Sequence, residues 1–98
     1  MDDSKVREHA EAHGRAIAAG DLAAAAGDLD ESVRAKAPSI MKHLPRPVTA
    51  SEVLSVEAAA DAFVVRTLYT GAEGTATVDA RWAEIGGRPR IVDLEVAT

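Results

Sequence analysis

Cysteine is absent from the 98 residues, so neither a disulfide framework nor thiol chemistry is open to this chain. No stretch approaches the roughly 18 apolar residues that a membrane-spanning helix needs. The opening Met1-Asp2-Asp3-Ser4-Lys5 is polar and lacks the apolar region of a signal peptide. A cytoplasmic location with no membrane partner is the default expectation. A cationic excess is missing too: 11 Lys and Arg stand against 16 Asp and Glu, for a net charge of −5. Nucleic-acid binding needs a clustered cationic surface, so no nucleic-acid partner is expected. The one basic cluster, Arg34, Lys36, Lys42, His43 and Arg46, reads as a solvated face. Aromatic side chains are nearly missing, with one Phe, one Tyr and one Trp.

What the chain has instead is alanine, 21 residues of it, within a hydrophobic share of 47%. That share is enough for a folded core, and this length is that of one domain, residues 1–98. Alanine favours helix but buries little area, which predicts thin, closely approaching helices.

Helical signals fill the first half. Ser4 is placed to cap a first helix, whose inner face is Val6, Ala10, His13 and Ile17 at helical spacing. Gly20 ends it, and Asp21 caps a short second helix that runs through Ala26 and is ended by Gly27. Asp30 opens a third helical stretch in which Val33, Ala37, Ile40, Met41 and Leu44 keep the period; Pro38 should kink or split it. Pro45 and Pro47 close the helical half. From Val48 onward four strands are predicted, at residues 49–59, 62–70, 75–85 and 90–97, with turns at 58–61, 71–74 and Gly86-Gly87. The fold class is therefore α+β, with N-terminal helices packed in a curved four-stranded antiparallel sheet.

The last hairpin allows a finer expectation. Ala76, Val78, Ala80 and Trp82 share one face of the third strand; Val92, Leu94 and Val96 share one face of the fourth. A two-residue Gly-Gly loop would pair Trp82 with Ile91 and Ala80 with Asp93, mixing the faces. A three-residue loop with Gly87 in the left-handed region pairs Trp82 with Val92, Ala80 with Leu94 and Arg81 with Asp93, and is the expected arrangement. The second strand is apolar on both faces, with Phe63, Val65 and Tyr69 on one and Val64 and Leu68 on the other. Helices can cover one face; a homodimer through Val64, Arg66, Leu68 and Arg81 is the economical cover for the other.

Three features now point to a family. The first helix ends in Ala18-Ala19-Gly20-Asp21-Leu22, a strand ends in Tyr69-Thr70-Gly71, and residues 81–92 read Arg-Trp-Ala-Glu-Ile-Gly-Gly-Arg-Pro-Arg-Ile-Val. Together these resemble the nuclear-transport-factor-2-like superfamily, with its SnoaL-like and steroid-isomerase-like members. The resemblance implies a cystatin-like cone, a sheet wrapped round helices, often dimeric. It does not imply one activity, since members include isomerases, cyclases, hydrolases and accessory domains. This chain would be a short member. Residues 31–44 look helical where many members carry a strand of polar pocket residues, which argues against an open cavity.

The candidate site centres on His13. In steroid-isomerase-like members a helix-1 tyrosine lies eight residues before the Asp of Ala-Gly-Asp and donates to an oxyanion; the same count from Asp21 reaches His13. Histidine there has the chemistry of an acid, base or donor. The bland alternative, a core histidine bonded to a carbonyl or to Tyr69, carries more weight because the companion acids are missing. The family's general base falls near Ala37 and its second acid at Ala80. Asp79 shares the outward face with Arg81. With no inward carboxylate in view, a neutral imidazole is expected.

His9 and His13 stand at i and i+4, a metal-capable spacing, but residue 10 is alanine rather than the glutamate of the zinc-protease motif and no third ligand is indicated. No metal and no cofactor are expected. Trp82 is a core residue or a pocket wall, and Tyr69 a strand-end hydrogen bonder or the polar tip of that pocket. His13, Tyr69 and Trp82 are thus the candidate ligand-binding residues, with His13 the one catalytic candidate. The functional expectation is a non-catalytic, dimeric accessory or small apolar ligand-binding protein. An isomerase-, cyclase- or hydrolase-type enzyme using His13 is the alternative. A structural partner protein without a cavity is the third.

Overall fold

The computed structural model describes residues 1–97. Helix α1 spans Asp3–Ala18, α2 Leu22–Gly27, a single 3-10 turn Glu31–Val33, and α3 Ala37–Met41; strands β1 Val48–Ala59, β2 Ala62–Gly71, β3 Gly74–Ile85 and β4 Arg88–Val96 follow. The strands form one antiparallel meander in the order β1-β2-β3-β4, and the helices pack on one face of it. No helix among the described residues is long and apolar enough to cross a membrane.

The N-cap of α1 is Asp2, not Ser4: its carboxylate accepts the Lys5 amide at 2.8 Å, and Ser4 lies inside the first turn. Aspartate wins because its charge also meets the positive end of the helix dipole. The C-terminus is the glycine stop expected. Gly20 sits at φ 75°, its N–H donates to Ile17, and the Asp21 N–H donates back to Ala16 at 2.9 Å. That is the pattern of a Schellman cap. Asp21 then caps α2 by accepting the Ala24 amide. Pro38 acts as a splitter: the stretch from Asp30 breaks into the 3-10 turn and α3, with Pro38 in α3's first turn, where no amide is missed.

The sheet carries three bulges. Thr49 and Leu54 are extra residues on β1, and Val92 is an extra residue on β4. Each reverses the in-out alternation, so Val53 and Val56 both face inward, as do Ile91 and Leu94. The last hairpin corrects the expectation in part. Gly86 and Gly87, at φ 61° and 81°, form a two-residue loop, and Trp82 pairs with Ile91 rather than Val92. Two left-handed glycines match the right-handed twist of the strands, which favours the short loop. The extra residue is still present, moved from the turn to Val92, and beyond it Arg81 pairs with Asp93 and Ala80 with Leu94 as expected.

The core joins Val6 and Ala10 of α1 to Val65, Val78, Trp82, Ile91 and Leu94 of the sheet; Val6, Val65 and Ile91 are fully buried. The buried stripe of α1 runs Val6-Ala10-Gly14, with His13 and Ile17 on its half-buried flank. Glycine at position 14 lets α1 come down onto β1, where Ser51 occupies the space a Cβ would take. On the outer face Val64 lies between Glu57 and Arg81, and Leu68 between Glu52 and Thr77. Arg66 holds Asp79 through two hydrogen bonds of 2.8 and 2.9 Å, which keeps the Asp79 carboxyl below its usual range.

Candidate functional site

Between the helices and the sheet lies a pocket of about 340 Å³. Its floor is Tyr69, Val78 and Leu94 from the sheet; one wall is His13 and Ile17 of α1 with Leu22, Ala25 and Ala26 of α2. The opposite wall is the segment between Arg34 and Leu44, so the helical stretch that argued against a cavity builds one side of it. Ala37 is part of that wall and brings only a methyl group. Alanines at positions 25, 26 and 37 leave room that larger side chains would fill.

His13 lines this pocket but is not the carboxylate-free histidine expected. Its Nδ1 lies 2.9 Å from Oδ2 of Asp28, and only 12% of its side chain and 19% of that of Asp28 are exposed. A carboxylate can only accept, so Nδ1 carries the proton and Nε2 is left as acceptor in the neutral ring. Nε2 has no protein partner among the described residues and keeps accessible surface. Asp28 also lies 3.7 Å from the Arg88 guanidinium. Its position is set by backbone docking rather than by α1. The Ile91 amide donates to the Asp28 carbonyl and the Asp30 amide donates to the Ile91 carbonyl, both at 2.8 Å. These two bonds fasten the 28–30 segment along the edge of β4.

Tyr69 is buried on the floor of the pocket, and burial alone pushes its phenol up to about 12. The hydroxyl is therefore a protonated donor across the physiological range. Trp82 does not line the pocket. At 1% exposure it belongs to the core, with the His13 ring edge-on to it at 6.0 Å and the His9 ring at 6.4 Å. Its indole N–H is buried without a partner among the described residues. His9 and His13 thus share Trp82 as a neighbour, and no group of three or more metal-ligating side chains occurs among the described residues.

Two members of the site escaped sequence reasoning. Asp28 follows a glycine after a short helix, which reads as an ordinary turn residue, and nothing local signals that it turns toward α1. Arg34 sat in a basic cluster read as solvated, and it is exposed, yet it forms part of the pocket wall. Compared with protein-family models, curated proteins and solved structures, the chain matches none.

Proposed function

We propose that this protein binds a small, largely apolar ligand in the pocket between its helices and its sheet, as a short cone-fold protein of the nuclear-transport-factor-2-like kind. The pocket itself carries the reading: about 340 Å³ is at the small end of the range for ligand sites, roughly 300–1,000 Å³, and apolar walls with a few polar groups are the usual make-up of such sites. The family part of the proposal rests on the Ala18–Leu22 link and the residue 81–92 hairpin.

The test is an amide-resolved NMR titration with octanol. Saturable shifts should cluster at Ala25, Leu29, Tyr69 and Leu94, and Ala37→Phe, which projects a ring into the space, should abolish them. Shifts that never saturate, or that spread over the surface, would overturn the assignment.

One observation favours a second reading, an enzyme using His13. The His13–Asp28 pair has the form of an oriented general base, and His13 is one of the residues lining the pocket. The neutral Tyr69 hydroxyl is a donor of the kind that stabilises a developing oxyanion. The binding reading ranks first because the pair is equally a structural clasp between α1 and the 28–30 segment.

A further inference from the structure

We infer that the ligand is a small apolar monocarboxylate, its head held by Arg34 at the pocket mouth and its tail on the sheet floor. The inference rests on the apolar-ligand reading above. Arg34 closes the 3-10 turn and is the only cationic side chain on the pocket wall among the described residues. It forms no ion pair within 4.0 Å with any carboxylate among those residues. Lys36, two residues on, holds Asp93 at 2.9 Å, and Arg88 lies 3.7 Å from Asp28. The planar guanidinium fork matches a carboxylate through two parallel hydrogen bonds.

The polarity of the site fixes the direction of entry. A carboxylate head placed deep, beside His13, would approach the Asp28 carboxylate, a like charge in partly buried surroundings. At Arg34, which is exposed, the head keeps part of its water and avoids most of the desolvation cost. The tail then meets Leu94, Val78 and the methyl groups of Ala25 and Ala37. The pocket, at the small end of the range for ligand sites, suits a short alkyl chain, and octanoate is the probe chosen.

The experiment compares octanoate and octanol by calorimetry and NMR at low ionic strength, on the intact chain. Arg34→Gln should weaken octanoate roughly two- to fivefold, as expected for a half-solvated ion pair, and leave octanol unchanged. Lys42→Gln, which removes an exposed charge outside the pocket, should change neither. Raising the salt concentration should reproduce the Arg34→Gln effect. The inference is overturned if octanoate is insensitive to Arg34→Gln, or if Lys42→Gln weakens it as much, because a general cationic field would then explain the binding. Octanol binding without octanoate binding would overturn the carboxylate assignment while upholding the pocket. Binding of neither ligand would overturn both.

Discussion

Replacing Gly14 by alanine should destabilise this protein, although the same exchange inside an unconstrained helix is favourable by about 1 kcal/mol. An added Cβ would stand 2.5 Å from Ser51 Oγ and 2.9 Å from Ser51 Cβ. Carbon atoms in good contact sit about 3.5–4.0 Å apart, so α1 and β1 must separate or Ser51 must shift. Ser51 has no flexible stem to swing away, and it faces inward next to Val53. Forcing extra atoms into a packed contact costs about 1–3 kcal/mol. Set against the propensity gain, the net loss is about 1 kcal/mol, which lowers the melting temperature by roughly 4–8 °C for a chain of this length.

Ser51→Gly removes both clashing atoms. In that background Gly14→Ala should turn stabilising, by about the helix-propensity gain. Urea and thermal denaturation of the four proteins in the cycle give the coupling directly. A higher melting temperature for Gly14→Ala in the parent chain would refute the reasoning. It would mean that α1 does not rest on β1 through Gly14, and the placement of the adjacent His13 would fall with it.

Two further predictions address the site and the outer sheet face. Imidazole nitrogen shifts should show the neutral His13 ring protonated at Nδ1; Asp28→Ala should erase that preference and cost about 1 kcal/mol, and a ring protonated at Nε2 in the parent would remove the base-type reading. A homodimer through Val64, Arg66, Leu68 and Arg81 should bury about 1,200 Å² or more in total and dissociate on Leu68→Arg. Sedimentation as a monomer at high micromolar concentration would eliminate it.

Helix and strand boundaries were legible wherever one residue type carried a local backbone demand. Gly20 at the end of α1, Asp21 at the start of α2 and Pro38 in α3 each do one job that neighbours in sequence can specify. The hairpin was half legible for the same reason. Alternating apolar residues required one extra residue between Trp82 and Leu94, and one is there, but patterning cannot say whether it sits in the turn or at Val92. The energy that decides lies in backbone twist at Gly86-Gly87 and in what docks on the edge of β4. The apolar stripe of α1 holds at Val6 and Ala10 and departs by one residue after them, for a related reason. Gly14 has no side chain to mark it as buried, so the pattern pointed to His13, which lies on the flank.

The carboxylate beside His13 was beyond sequence reasoning, and its cause can be traced. Asp28 is 15 residues from His13, off the end of α2, and helical spacing cannot relate the two. What relates them is Ile91. Its N–H and C=O point outward from the edge of β4 and take up the Asp28 carbonyl and the Asp30 amide. Val92, the bulged residue, follows immediately. An unpaired edge is costly where water is excluded, so the strand gains a short parallel partner instead of staying open. That partner carries Asp28 to α1 at one end. At the other it leads, through the Asp30 cap, into the 3-10 turn that ends at Arg34. The histidine's acceptor and Arg34 on the pocket wall are thus both placed by one pair of backbone hydrogen bonds, made to a residue some sixty positions later in the chain.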